Sequence, residues 1–343
     1  MRVLFIGFGS VAKEMARILT NSHLYPRLNF SLKAVGIFTA RHGGVEDKDG
    51  IDLARVLDNF DKYGGFTADG SGLSCLTPLA AAMTLDYDVL VELSVLSIKD
   101  RGEPAASYIR AALARGKSVV SANKGPVAFA YRELKELAKK NAAEYLFESA
   151  VMDGAPVFNL YERCMKGASV TGFSGILNGT TNFILSQMEI GTPLEEAVRQ
   201  AQDAGIAEAD PSMDVDGWDP AAKAAALANV LMGADLTPLD VRREGIRHVT
   251  PASAQDALKR GFRLKLICRG WKEDGNIRTS VMVEEIPQNH VFATVSHFGS
   301  ALRIEADLMH PNIMVQECPD LTDTAFGVIE DLISVESRLS FAK

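Results

Sequence analysis

The chain has 343 residues, 47% of them hydrophobic and 23% charged, and its 36 Lys and Arg against 44 Asp and Glu give a formal net charge of −8. That length suits two domains, each with material for a packed core, and the acidic balance argues against DNA or RNA as the main partner. No apolar run approaches the ~20 residues that span a bilayer, and the four cysteines (Cys75, Cys164, Cys268, Cys318) and six histidines are too scattered for a zinc, redox or HExxH pattern.

Arg2 to Ile6 reads as a buried strand, Gly7-Phe8-Gly9-Ser10 as a tight turn, and Val11 to Thr20 as a helix with Val11, Met15, Ile18 and Leu19 on one face. A signal peptide is not expected, because the apolar start breaks at Gly7-Phe8-Gly9 and Lys13-Glu14 follow without a cleavage site. The expected address is the cytoplasm, with the thiols reduced. Leu32 to Phe38 and Asp88 to Leu93 are strand-like, Ala105 to Ala114 is helical, and Ser118 to Ser121 is a further strand. Strands alternating with helices predict a parallel sheet covered on both faces.

From about Glu148 the pattern changes. Val170 to Leu177 is strand-like and runs into Asn178-Gly179-Thr180-Thr181-Asn182. Pro193 to Ala204 and the alanine-rich Pro220 to Gly233 are helical. Leu264 to Arg269 and Ile277 to Glu284 read as paired strands around an Asp274-Gly275 turn. A last helix covers about Asp323 to Leu339.

Three sites carry chemistry. Gly7-Phe8-Gly9-Ser10-Val11-Ala12 is a GxGxxA turn between strand and helix, the context in which glycines let a backbone approach a dinucleotide pyrophosphate at a helix N-terminus. A plain βα turn is the other reading. The second strand ends in Thr39-Ala40-Arg41-His42, without the acidic residue that selects NAD. Arg41 either meets the 2′-phosphate of NADP, the preferred reading, or is a solvated loop arginine. Ser121-Ala122-Asn123-Lys124 places a lysine at the carboxyl end of a strand, where ligands bind.

The third site runs from Ala207-Glu208-Ala209-Asp210-Pro211 through Asp214, Asp219 and Lys223. Asp219 before Pro220 predicts an N-cap with proline at the first helical position. Lys223, four residues on, sits early in the helix, where the dipole favours loss of its proton and suits a proton donor and acceptor. Pure capping for Asp219 and an exposed side chain for Lys223 are the competing readings. The acid spacing lacks the EF-hand pattern.

Taken together, GFGSV, DVLVELS, ANK, GILNGTTN and AEADP with the following Asp219 and Lys223 resemble homoserine dehydrogenase, in family order and over nearly the whole chain. The resemblance implies an α/β fold: an N-terminal Rossmann dinucleotide-binding domain (1–147, completed by about 312–343) and an α+β catalytic and dimerisation domain (148–311). It implies NAD(P)-dependent interconversion of L-aspartate 4-semialdehyde and L-homoserine, in threonine and methionine biosynthesis. By resemblance, Lys124 and Lys223 are catalytic, and Glu208, Asp214 and Asp219 hold the amino-acid substrate. Gly179 and Thr180 contact the substrate, Ser94 meets the nicotinamide ribose, and Glu148 with the backbone of Val151 lies where a structural sodium ion binds. A homodimer is implied. An ACT regulatory domain is not expected after Lys343, nor threonine inhibition through one.

The chain departs from that pattern at Asp153, where a glycine is usual, at Ser300, where an asparagine is common, and at Val315 to Ala325, which lacks a glycine-rich stretch. Glu317 or Asp320 would repel phosphate if that stretch approached the cofactor. Alternatives kept open are an oxidoreductase of the same build acting on a related amino-acid aldehyde or alcohol, and a non-catalytic nucleotide sensor.

Overall fold

The computed structural model describes residues 1–66, 73–205 and 207–341. The chain divides into two compact units, Met1–Pro156 with Asp320–Lys343, and Val157–Pro319.

In the first unit the strands are β1 (Arg2–Ile6), β2 (Lys33–Thr39), β3 (Gly43–Glu46), β4 (Leu73–Ser74), β5 (Val89–Glu92), β6 (Ser118–Ser121) and β7 (Tyr145–Leu146). The helices are α1 (Ser10–Thr20), α2 (Leu53–Tyr63), α3 (Pro78–Thr84), α4 (Ala105–Ala114) and α5 (Lys124–Lys140). Among the described residues the strand order is β4-β3-β2-β1-β5-β6-β7, with β2, β1, β5, β6 and β7 parallel. The order reverses at β1, whose neighbours are β2 and β5, so a crevice opens beyond the carboxyl ends of β1 and β5. This is the Rossmann-type domain, with one local difference. β3 turns straight back from β2 through residues 40–42, too few for a crossover, and therefore pairs antiparallel.

Apolar side chains explain the core. β1 and β5 are buried on both faces, which is why they read as unbroken apolar runs, and α1 closes one face with Ala12, Met15, Ala16 and Leu19. The terminal helix (Leu321–Phe341) packs on α1 and contributes Ala325, Val328, Ile329, Leu332 and Val335 to the same cluster.

The second unit is built from α6 (Val157–Asn159), β8 (Val170–Ile176), α7 (Gly179–Glu189), α8 (Leu194–Asp203), α9 (Ser212–Val215), α10 (Trp218–Met232), β9 (Arg242–Arg243), α11 (Pro251–Lys259), β10 (Phe262–Glu273), β11 (Asn276–Pro287), α12 (Val291–Thr294), β12 (Ser300–Ala306) and β13 (Asn312–Gln316). The described strands run in the order β13-β12-β8-β10-β11-β9 and are antiparallel but for β11 with β9. The β10–β11 hairpin is twelve residues a side, longer than its apolar core alone marks, because its outer pairs are held by the backbone ladder. Asp274 and Gly275 at its tip both have positive φ (49° and 76°). Residues 312–316, grouped by sequence with the terminal helix, instead pair with β12 at the edge of this second sheet.

Candidate active site

The nucleotide half of the site lies in the first unit. Gly7 has φ +98°, and a Cβ there would stand 2.5 Å from the Leu93 carbonyl oxygen and 2.9 Å from the Ser94 amide. Only glycine fits, since a left-handed backbone and a clash with main chain coincide. Its amide donates to Phe38 O at 2.8 Å, so the turn is wedged between the ends of β2 and β5. Gly9 is the N-cap of α1, and nothing lies within 4 Å of where its Cβ would project. No side chain caps this helix and its first turn holds no acid. Its first amides therefore face open space with a positive dipole end, a fit for a pyrophosphate. Ser10 is exposed and Val11 half-buried at that mouth. Phe8 points the other way: it is buried with its ring 4.9 Å from that of Phe60, leaving only its backbone for a ligand.

Arg41 is exposed in the turn after β2, beside Thr39, whose hydroxyl accepts from the His42 amide at 2.8 Å. Ser94 follows β5. Lys124 is half-buried and begins α5, whose N-cap Asn123 accepts from the Gly125 amide at 2.9 Å. Beneath these loops lies Glu92, fully buried at the end of β5, a residue the sequence reading passed over as part of a strand. Burial pushes its carboxyl up to about 7, against hydrogen bonds from Ser94, Ser121 and Asn123 that favour the carboxylate.

Glu148 is buried and its amide donates to Asp331 of the terminal helix at 2.8 Å; Val151 is buried close by. Asp153 has φ +50°, the region that favours glycine, and its carboxylate accepts from the Thr324 hydroxyl at 3.0 Å. Among the described residues no group of three or more His, Cys, Asp and Glu side chains is placed to hold a metal.

The substrate half lies in the second unit, where β8 runs into α7. Asn178 is the N-cap: its Oδ1 accepts from the Thr181 amide at 2.8 Å, while its Nδ2 donates to Asp214 at 2.6 Å and Asp219 at 2.9 Å. Lys223 Nζ donates to Leu177 O at 2.7 Å and lies 3.3 Å from Asp219 Oδ2. The Asp219 and Lys223 side chains are only 13% and 16% exposed. The structure therefore gathers Asp214, Asp219 and Lys223 around the end of β8, through an asparagine the sequence reading quoted in its motif but gave no role. Two carboxylates against one ammonium leave a locally negative wall suited to a cationic amino group.

Asp219 is not the N-cap. α10 begins at Trp218, with Gly217 in a left-handed conformation as its cap. The short α9 runs head to tail into α10, and Gly217 makes the bend, its amide donating to Asp214 O at 2.8 Å. Pro220 still sits in the first turn, where no amide is needed, and Asp219 is free to face Asn178 and Lys223.

Gly179 opens α7 against Phe298, whose carbonyl oxygen would stand 2.7 Å from a Cβ there. Thr180 is buried behind it. The Phe298 segment is itself pinned: Asn182 Nδ2 donates to His297 O at 3.1 Å and the buried Lys265 Nζ donates to Asn182 Oδ1 and Val295 O, each at 2.7 Å. Burial lowers the Lys265 ammonium to about 8. Neither Asn182 nor Lys265 was singled out from sequence. Glu208 stands apart. Its carboxylate is exposed and makes no hydrogen bond or ion pair among the described residues, although its carbonyl accepts from Gln202 at 3.0 Å. Ser300 is buried in β12, and its hydroxyl has no partner among the described residues.

Comparison with known proteins agrees across both units. Residues 7–148 match the family model for the NAD-binding domain of homoserine dehydrogenase, and 156–333 match the homoserine dehydrogenase model. The chain is 36% identical to an NAD(+)-dependent homoserine dehydrogenase of Pseudomonas canavaninivorans, over 97% of this chain and 96% of that one. It is 34% identical to a homoserine dehydrogenase of Methanocaldococcus jannaschii, over 98% of each. Among solved structures, a hyperthermophilic archaeal homoserine dehydrogenase in complex with NADPH superposes with TM-score 0.83 at 27% identity, covering 98% of each chain. The enzyme from Thiobacillus denitrificans superposes at 0.82 and 27% identity, over the whole of this chain and 74% of that one.

Proposed function

The chain belongs to the homoserine dehydrogenase family and interconverts L-aspartate 4-semialdehyde and L-homoserine with NAD(P), and from that premise we propose that Lys223 is the group that moves the proton. The observation that carries this is the cluster at the end of β8, where Asn178 joins Asp214 and Asp219 while Lys223 is held between Asp219 and Leu177 O. The bound dinucleotide supplies the hydride in one direction and takes it up in the other. Lys223 donates a proton to the carbonyl oxygen as the aldehyde is reduced, and in the reverse direction accepts it from the hydroxyl. Asp219 holds the ammonium in place. Lys124, at the carboxyl end of β6, assists by stabilising the developing negative oxygen.

Asp214 and Glu208 receive the substrate amino group, supported by the excess of carboxylates over cations, and the exposed Glu208 closes on the ligand as it binds. Gly179 and Thr180 present the start of α7 to the substrate. At the other half, Gly7 to Val11 cradle the pyrophosphate and Ser94 meets the nicotinamide ribose. Arg41, exposed after β2 with no acid in its turn, favours NADP over NAD. The oxygen-rich turn at Glu148 and Val151 suits a hard cation such as sodium in a structural role. The protein acts as a cytoplasmic homodimer; three exposed free thiols, Cys75, Cys164 and Cys318, fit a reducing compartment, and among the described residues no helix is long and apolar enough to cross a membrane.

The test mixes the protein with L-homoserine at mildly alkaline pH and follows reduced-cofactor absorbance, with NADP and NAD in parallel. Turnover that Lys223→Ala abolishes supports the assignment, and a preference for NADP that Arg41→Ala removes supports the cofactor choice. Turnover that survives Lys223→Ala refutes the proton role.

A further inference from the structure

Glu92 is a buried carboxyl without a cationic partner. It is 0% exposed, and among the described residues no lysine, arginine or histidine pairs with it. Its four bonds come from neutral donors. One oxygen accepts from the Ser94 amide at 2.8 Å and from the Ser94 hydroxyl. The other accepts from the Ser121 hydroxyl at 3.0 Å, and the Asn123 side chain also donates to the group. An ionised carboxylate offers about four acceptor positions, so this set fills it. Burying a charge this way is costly unless something is gained by it.

The donors show what is gained. Ser94 follows β5 and borders the Gly7 turn, where its amide limits the space above the glycine to 2.9 Å. Its hydroxyl spends its hydrogen on Glu92, so only lone pairs face outward. Ser121 closes β6 and accepts from the Asn123 amide at 3.0 Å. Asn123 in turn caps α5, whose first residue is Lys124. One carboxylate thus ties together the two loops that border the crevice.

We propose that Glu92 is a positioning residue for dinucleotide binding: its carboxylate fixes Ser94 as a hydrogen-bond acceptor for a ribose hydroxyl and sets the Asn123–Lys124 helix start beside it. The proposal rests on the reading of this crevice as the NAD(P) site. A neutral carboxyl cannot hold the arrangement, because its own hydrogen must replace one of the four incoming donors. The titratable groups facing it are Tyr108 of α4 and Tyr145 of β7, both buried enough, and close enough to Glu92, to be raised further above their ordinary value. Both stay neutral through the physiological range, which leaves Glu92 to titrate alone there.

The experiment is calorimetric titration of the cofactor-free protein with NADP and with NAD, using wild type, Glu92→Gln, Ser94→Ala and the double variant, from pH 6 to 8.5. Each single substitution is expected to weaken binding about tenfold, and the double variant to bind no worse than the weaker single one, since both break one arrangement. Wild-type affinity is expected to fall as the pH drops through about 7 while that of Glu92→Gln stays level. Thermal unfolding at pH 8 verifies that Glu92→Gln is folded. A folded Glu92→Gln protein with wild-type affinity, fully additive losses, or a wild-type affinity flat across this range would overturn the proposal. The expected pattern supports it even in a protein that fails to oxidise homoserine, because no turnover is read.

Discussion

Replacing Lys223 by methionine keeps the length of the side chain and removes its ammonium. Two contacts go with it, the 2.7 Å bond to Leu177 O and the 3.3 Å pairing with Asp219. A hydrogen bond to a charged group is worth roughly 1.5–3 kcal/mol. Asp219 keeps its bond from Asn178, so the loss stays short of the roughly 3–5 kcal/mol that follows when a buried ion is left wholly unpaired. The expected destabilisation is therefore about 2 kcal/mol, a partial loss that leaves the protein folded at room temperature. The effect on chemistry is expected to be larger. General acid–base catalysis contributes about 10²–10⁴-fold, or roughly 3–5 kcal/mol of barrier. Urea denaturation gives the first number and saturated initial rates of homoserine oxidation the second. A folded Lys223→Met protein with kcat within tenfold of wild type would refute the reasoning, because no other group would then have been lost to account for proton transfer.

The two glycines of the turn separate folding from binding: Gly7→Ala is expected to cost at least about 2 kcal/mol of stability, from left-handed strain and the clash with Leu93, whereas Gly9→Val folds normally and loses dinucleotide affinity by calorimetry. Arg41→Asp is expected to turn preference from NADP towards NAD, read as the ratio of kcat/KM for the two cofactors; an unchanged ratio removes Arg41 from the site. Because burial raises Glu92 from 4.5 to about 7, its contribution to stability is fully present below pH 4.5 and is lost as the pH rises through 7. Glu92→Gln should therefore gain on wild type by up to about 3 kcal/mol between those limits and by nothing more above them, a trend that denaturation at several pH values checks.

What was legible in the sequence was what is local. Ala105–Ala114 and Ser118–Ser121 fall where periodicity puts them, since Pro104 precedes the helix and Arg115-Gly116 separate it from the strand. The dinucleotide turn was legible because its meaning depends on adjacent residues alone. The Asp219 cap failed for the opposite reason: α9 abuts α10, and that junction handed the cap to Gly217. The role of Asn178 was hidden because its partners lie 36 and 41 residues away. Glu92 carried a signal, a carboxylate inside an apolar strand, but its donors at Ser121 and Asn123 arrive from the next strand in the sheet, and pairing between distant strands is not written in either one. The edge strand Asn312–Gln316 was missed likewise, being defined only by its ladder with β12.

The departures near the terminal helix are better explained by helix capping than by loss of a cofactor contact. Asp320 Oδ1 accepts from the Thr322 amide at 2.7 Å, and Asp323 Oδ2 accepts from the Asp320 amide at 2.8 Å, a reciprocal arrangement at the helix start. Those bonds, the Thr322 amide first, hold the Asp320 carboxyl below its ordinary value. Its charge is set against the positive end of the helix, which reduces its reach towards any phosphate. Asp153 completes the exchange. It takes up a backbone conformation that favours glycine and binds Thr324, while Gly154 beside it admits the Asp323 carbonyl to 2.2 Å of where a Cβ would stand. The side chains that replace glycines here anchor the terminal helix to the loop after Glu148. A flexible glycine stretch could not supply that anchoring, so the same substitutions that alter the family pattern also stiffen the unit carrying the nucleotide half of the site.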